Sequence, residues 1–143
     1  MNTLEVSQSE KLDVKKENVI HIPLGLLGFE QVKKYVLLSK PEEEPFMWLQ
    51  MLEHPDQAFL VISPFLLFPE YRPDLSREDA EFLNLACPED SILLNIVTLR
   101  PGGQSTVNLK GPVVLNRKTL IGKQVILNNA AQYLVQQPMP GAV

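Results

Sequence analysis

Alternating apolar and polar residues dominate this chain, whereas long stretches with the 3.6-residue period of an amphipathic helix are scarce. The alternating stretches are rich in β-branched and aromatic residues, which is typical of strands half buried in a sheet. The pattern predicts ten short strands, at residues 4–6, 11–14, 19–22, 35–39, 47–52, 59–63, 92–99, 105–109, 113–116 and 124–127. The protein is therefore expected to be mainly β.

One helix stands out, over residues 76–86. Ser76 can accept hydrogen bonds from the first amides of this helix, and Asp79 is placed to form the acidic half of a capping box. Pro88 should end the helix, and a second short helix is possible around residues 129–133. One covering helix on many antiparallel strands predicts a small antiparallel β-barrel-like domain.

Turn residues separate the predicted strands. The sequence Pro-Gly-Gly at residues 101–103 predicts a hairpin between strands 92–99 and 105–109. Pro112 lacks an amide hydrogen, which suits the first position of a strand or a sheet edge. A length of 143 residues with 45% hydrophobic residues predicts one domain over residues 1–143. We expect the tail from about residue 134 to residue 143 to be flexible.

The composition of the chain indicates the cellular compartment in which the protein works. Cys87 is the one cysteine, so no internal disulfide can form, which favours a reducing environment. The first ten residues lack the basic and apolar regions of a signal peptide, and no run of about 18 apolar residues could span a membrane. We therefore expect a cytoplasmic location with no membrane contact.

Candidate catalytic and metal-binding residues are few. His21 and His54 lie far apart and belong to no metal-binding motif, and the glycines of residues 25–28 lack the lysine of a phosphate-binding loop. Three consecutive glutamates at residues 42–44 could bind a cation, but solvated carboxylates are the simpler interpretation. We predict no metal, no cofactor, no small-molecule substrate and no enzymatic activity. The alternative is a small β-barrel enzyme or ligand-binding domain of unrecognised chemistry.

The net charge of −4 conceals a strong asymmetry along the chain. Residues 42–90 contain twelve acidic and two basic residues, whereas residues 91–143 contain five basic residues and no acidic one. Folding can scatter such blocks into solvated faces, or the acidic block can form one surface that attracts a basic partner. Direct nucleic-acid binding is disfavoured because it depends on neutralising phosphates with Lys and Arg.

An aromatic run at residues 63–71 is the best candidate contact surface. It reads Ser-Pro-Phe-Leu-Leu-Phe-Pro-Glu-Tyr and holds more large apolar side chains than a connecting loop easily buries. Two interpretations stay open: Phe65 and Phe68 pack under the barrel, or part of the run, including Phe68 and Tyr71, is an exposed anchor for a partner helix.

Six blocks along the chain form a recognisable signature. Residues 20–30 read Ile-His-Ile-Pro-Leu-Gly-Leu-Leu-Gly-Phe-Glu, a strand that ends in proline, a glycine-containing turn and Gly-Phe-Glu. The other blocks follow at residues 45–50, 58–71, 94–98, 107–116 and 122–127. In this order the six blocks resemble the FliW family of flagellar assembly factors. The chain departs from the family at Leu27, at Gly111 and in the ending at residues 133–138.

The resemblance implies a protein that binds flagellin in the cytoplasm and also binds CsrA, a dimeric RNA-binding repressor of flagellin translation. When flagellin is secreted, the freed protein sequesters CsrA. This sequestration antagonises RNA binding by CsrA allosterically. Under this interpretation the acidic block places negative charge near a phosphate-binding surface. The predicted partner-binding residues are the aromatic residues Phe65, Phe68 and Tyr71 and the acidic residues Glu70, Glu78 and Glu81.

Overall fold

The structure, a computed structural model, describes residues 18–140. These residues form one α-helix, α1 (Arg77–Phe82), and nine β-strands. The strands are β1 (Ile20–His21), β2 (Lys34–Ser39), β3 (Met47–Met51), β4 (Ala58–Ile62), β5 (Ser91–Thr98), β6 (Thr106–Val107), β7 (Val113–Asn116), β8 (Gly122–Gln124) and β9 (Gln137–Pro138). The mainly β prediction is confirmed, and the predicted strands at 4–6 and 11–14 lie outside the described residues.

All strand pairs are antiparallel, and β5 is the point where the sheet forks. Strands β1 to β5 pair in sequence order, with β4 on one side of β5. On its other side, residues 91–94 of β5 pair with β7, whereas Val97 and Thr98 pair with β6. Strand β7 continues to β8, and β6 continues to β9.

The first branch of the fork curls into an almost complete ring. β1 and the residue before β8 meet in a single parallel bridge between His21 and Ile121, and the His21 amide donates to Leu120 O at 2.9 Å. Within residues 18–140 no strand pair joins β1 to β8, so the sheet is not closed. The barrel-like prediction holds with this open seam.

Apolar side chains divide into an inner and an outer cluster. The inner cluster lies within the ring and includes Ile22, Tyr35 and Leu49. The outer cluster lies on the other face of the central strands, since Val113 and Leu115 of β7 belong to the inner cluster and Val114 to the outer. The outer cluster also includes Leu83 and Leu85, which follow α1, and apolar side chains from the segments 67–75 and 125–139.

Helix α1 is shorter than the sequence predicts. It begins as expected, with the Asp79 amide donating to Ser76 Oγ at 3.0 Å, but it ends at Phe82 and not near residue 86. Asn84 adopts a left-handed φ of 57°, and the amides of Asn84 and Leu85 donate to Glu81 O and Ala80 O. This Schellman arrangement satisfies the last carbonyl groups of the helix and stops it ahead of Pro88.

Two other predicted elements are displaced. The strand expected at 124–127 forms earlier, at Gly122–Gln124, where a side chain on Gly122 would collide with Leu115. The helix expected near 129–133 is a single 3₁₀ turn, Ala130–Gln132. The predicted hairpin forms as expected, with β6 returning along β5 through the turn that contains Gly102. No helix within residues 18–140 is long and apolar enough to cross a membrane.

Candidate functional site

The aromatic run after β4 folds into a compact turn that separates its side chains. Pro64 begins a 3₁₀ helix, Pro64–Leu66, and Phe68 N donates to Pro64 O at 2.8 Å. Phe65 and Leu66 project outward and are 44% and 61% exposed. Phe68 is half buried against the outer cluster. The run therefore supplies both core and surface residues.

Tyr71 is a core residue, which corrects its interpretation as an exposed anchor. Its side chain is 2% exposed, and its hydroxyl donates to Leu109 O at 2.6 Å. The ring of Tyr71 packs edge-on against that of Tyr133, with centroids 4.8 Å apart, and lies 6.0 Å from that of Phe65. Burial raises the pKa of Tyr71 to about 12. The exposed part of the predicted anchor is thus Phe65, with Leu66 beside it.

Helix α1 carries acidic side chains with different environments. Asp79 is buried and pairs with Lys123 of β8, whose ammonium group also lies 5.5 Å from the centroid of the Phe82 ring. Glu78 and Glu81 are exposed, as is Glu70 on the preceding segment. Within residues 18–140 these three glutamates form no ion pair. The three predicted acidic contact residues thus carry uncompensated charge.

Folding partly cancels the charge asymmetry seen along the chain. Lys123 and Lys118 come from the basic final third, and they pair with Asp79 and Asp90 of the acidic middle block. Two acidic residues near the carboxyl end of the acidic block, residues 42–90, are therefore paired with lysines from the final third of the chain. The acidic block still exposes Glu70, Glu78 and Glu81 to solvent.

Beside α1 lies an open apolar cavity of about 970 Å³, here called the groove. Parts of the segments 63–75 and 85–94 line it, together with Met47, Ala80 and Arg117, whereas Glu70, Asp74 and Asp90 of these segments lie outside the lining. Most of the lining is apolar, and it includes the exposed ring of Phe65. Concave apolar surfaces with a few polar groups are the usual form of binding sites. The groove brings the aromatic run together with residues far from it in sequence.

Three charged side chains and one thiol contribute to the lining of the groove. Arg72 and Arg117 are both exposed and donate to backbone carbonyls, while Glu89 is the acidic member. Cys87 is exposed, and its thiol has a raised pKa, chiefly because of a hydrogen bond with Glu89. A raised pKa lowers the thiolate fraction, which is the opposite of an activated nucleophile.

The other polar candidates are dispersed over the surface. His21 and His54 are both exposed, on different elements. Glu43, the middle one of the three consecutive glutamates, accepts a hydrogen bond from the Trp48 indole and pairs with Lys40. No group of three or more His, Cys, Asp or Glu side chains that could hold a metal ion occurs in the described part of the chain.

Sequence patterns missed the groove and a second apolar surface. The turn after β1 exposes Leu24 and Leu27, which are 53% and 82% exposed. It is held rigidly, because Leu27 N donates to Gln124 Oε1 and Gly25 N donates to Ile22 O. The pair of glycines at 25 and 28 signalled the turn, but nothing local indicated which leucines would face solvent.

Comparison with known proteins gives consistent matches over most of the chain. The family model described as FliW protein matches residues 3–139. A flagellar assembly factor FliW from Leptospira interrogans serogroup Icterohaemorrhagiae serovar Lai is 37% identical over 135 residues, covering 92% of this chain and 89% of the relative. The Bacillus subtilis (strain 168) protein of the same name is 35% identical over 132 residues, covering 92% of each chain.

A solved structure agrees with these matches. The crystal structure of a flagellar assembly factor FliW superposes on this chain with a TM-score of 0.80 and 33% sequence identity. The superposition covers 89% of each chain. The similarity therefore extends to the arrangement of the strands as well as to the sequence.

Proposed function

Because this chain belongs to the FliW family of flagellar assembly factors, we propose that it acts in the cytoplasm by binding other proteins, flagellin and the repressor CsrA, and not as an enzyme. Flagellin occupies it while flagellin accumulates. When flagellin is secreted, the freed protein binds CsrA and relieves repression. No nucleic acid, metal, cofactor or small-molecule substrate takes part.

The observation that carries this proposal is the groove with the exposed residues beside it. A groove of about 970 Å³ with Phe65 in its lining offers a concave apolar surface for a partner segment. Aromatic side chains in such pockets contribute a large share of binding energy at protein interfaces. The raised pKa of the Cys87 thiol supports binding over covalent catalysis at this place.

The exposed acidic residues support the part of the proposal that concerns CsrA. Glu70, Glu78 and Glu81 are exposed and carry charges that no ion pair among the described residues offsets. Such charges accelerate encounter with a basic protein and repel the phosphates of its RNA. The Lys123–Asp79 pair, by contrast, is already neutralised inside the protein and contributes less to this field.

The experiment compares two triple variants that each lose three exposed carboxylates. Replacing Glu70, Glu78 and Glu81 by Gln should slow association with CsrA roughly tenfold at low ionic strength and weaken release of bound RNA. Replacing Glu42, Glu44 and Glu53 by Gln removes the same charge elsewhere and should change both rates much less. Stopped-flow association and RNA displacement measure these effects across salt concentrations. Flagellin binding by the wild type should persist in a chelator.

Two outcomes would contradict the proposal at different levels. If the first triple variant displaces RNA with wild-type potency at every salt concentration, the electrostatic part is wrong and the binding function stands. If the wild type binds neither flagellin nor CsrA, the function itself is wrong.

A further inference from the structure

Charge in the groove differs in sign from charge on the rest of the protein. The charged residues in its lining are two arginines and one glutamate, so the groove is net positive, whereas the whole chain carries −4. The acidic surface that suits CsrA and the groove therefore favour partners of opposite charge. This contrast separates the two surfaces chemically.

Backbone carbonyl groups hold the two arginines in place. Arg72 Nη1 donates to Pro69 O and to Tyr71 O, both at 3.1 Å. Arg117 donates to Glu89 O through Nε at 3.2 Å and to Ser91 O through Nη2 at 3.3 Å. Neither arginine forms an ion pair with any residue between 18 and 140. Each guanidinium group is thus fixed by backbone carbonyls and has donors left over.

The two arginines reach the lining of the groove from different parts of the chain. Arg72 belongs to the segment 63–75, and Arg117 is bonded to the segment that contains Glu89 and Ser91. Most of the remaining lining is apolar. Because a guanidinium group binds carboxylates through two parallel hydrogen bonds, such an arrangement selects an apolar ligand that carries carboxylates.

We propose that the groove binds an apolar protein segment that carries acidic side chains, with Arg72 and Arg117 binding its carboxylates. The proposal rests on the protein-binding function above and assigns one partner class to one surface. Phe65 packs against the apolar face of the segment. Glu89 disfavours carboxylates placed close to it, so the charges of the segment must lie towards the arginines.

The chain supplies a natural reporter of groove occupancy. Cys87 is exposed, contributes to the lining and is the one cysteine of the sequence. A ligand in the groove should therefore slow alkylation of Cys87 by iodoacetamide, and mass spectrometry of the full chain reads a single site. The same measurement with flagellin or CsrA shows whether either partner covers the groove.

The test uses three synthetic amphipathic peptides with the same apolar residues and with Glu, Gln or Lys at the polar positions. The Glu peptide should bind the full chain about tenfold more tightly than the Gln peptide, and the Lys peptide should bind most weakly. It should also slow alkylation of Cys87. In the double variant Arg72→Gln, Arg117→Gln the preference for Glu should disappear.

Matched variants separate charge recognition from misfolding. Arg100→Gln removes an exposed arginine outside the groove lining and should keep the full preference for the Glu peptide. The double variant Arg72→Lys, Arg117→Lys keeps both charges and should retain a large part of the preference. Unfolding midpoints for all variants confirm that the chain is folded.

Equal affinity of the wild type for the Glu and Gln peptides, or unchanged alkylation of Cys87 at saturation, would overturn the proposal. Tighter binding of dodecanoate than of the Glu peptide would also overturn it, because the groove would then be a small-ligand site. Normal binding of flagellin and CsrA alongside such results would leave the proposed function standing. Loss of both partners with the peptide result intact would overturn the function alone.

Discussion

Gly25 and Gly28 lie in one turn and both have positive φ, at 71° and 88°, yet their surroundings differ. A Cβ atom on Gly25 would lie 2.5 Å from Glu30 Cα, whereas a Cβ atom on Gly28 would meet nothing within 4 Å. Gly28→Ala should therefore cost about 1 to 2 kcal/mol of backbone strain. Gly25→Ala should cost about 1 to 3 kcal/mol more, because the backbone of Glu30 must move.

Urea unfolding of the two variants measures this difference. Gly102→Ala serves as a second strain control, since Gly102 also has a positive φ and open space around it. Equal losses at Gly25 and Gly28 would show that the close approach to Glu30 does not constrain the turn.

Burial of Tyr71 predicts a loss of stability at alkaline pH. Its pKa rises from 10.0 to about 12 on folding, so the folded state keeps the phenolic proton after the unfolded state has lost it. The stabilisation is fully present below pH 10 and is lost as the pH rises towards 12. Tyr71→Phe should flatten this decline and should cost about 1 to 2 kcal/mol at neutral pH, because Leu109 O loses its hydrogen bond.

The measurement is the free energy of unfolding in urea between pH 8 and pH 12 for both proteins. Tyr35, whose pKa is also raised by burial, should leave a residual decline in the variant. Identical pH dependence of the two proteins would mean that Tyr71 does not contribute to the alkaline loss.

The structural elements differ in how clearly the sequence marks them. Strands β5 and β7 were predicted within one residue, because both are rich in β-branched and apolar residues and are largely buried. The end of α1 was missed, since its stop depends on the left-handed Asn84 and not on the more obvious Pro88. Strand β8 was placed too late because its first residue, Gly122, has no side chain to mark its face.

Strand β9 pairs with β6, which contributes to the outer cluster. Removing β9 should destabilise the outer cluster more than the inner cluster. Ending the chain after Tyr133 removes the β6–β9 pairing and the hydrogen bond from Leu109 N to Leu134 O. We expect a loss of about 2 to 4 kcal/mol in the free energy of unfolding, from these hydrogen bonds and the lost burial of Met139.

Amide hydrogen exchange tests whether the loss of stability is confined to the outer cluster. The Leu109 amide should exchange faster in the truncated chain, whereas the Ile22 amide, which donates to Lys33 O, should keep more of its protection. Equal acceleration of exchange at both amides would show that the inner and outer clusters unfold together.

At the scale of the whole molecule, the sequence indicated the candidate side chains of the site better than their arrangement in space. The aromatic run and the acidic residues were recognisable from the sequence alone. The groove was not, because it forms where the segments 63–75 and 85–94 meet, and local periodicity carries no information about that meeting. The presence of both Arg72 and Arg117 in its lining depends on the same long-range arrangement.

The contact between Tyr71 and Tyr133 can form only late in the synthesis of the chain. Sixty-two positions separate these residues, so a ribosome adding about 5 to 20 residues per second needs roughly 3 to 12 seconds to deliver Tyr133 after Tyr71. Leu109, which accepts the Tyr71 hydroxyl, also emerges later. For that interval the aromatic run of the nascent chain lacks its native cover and is open to chaperones.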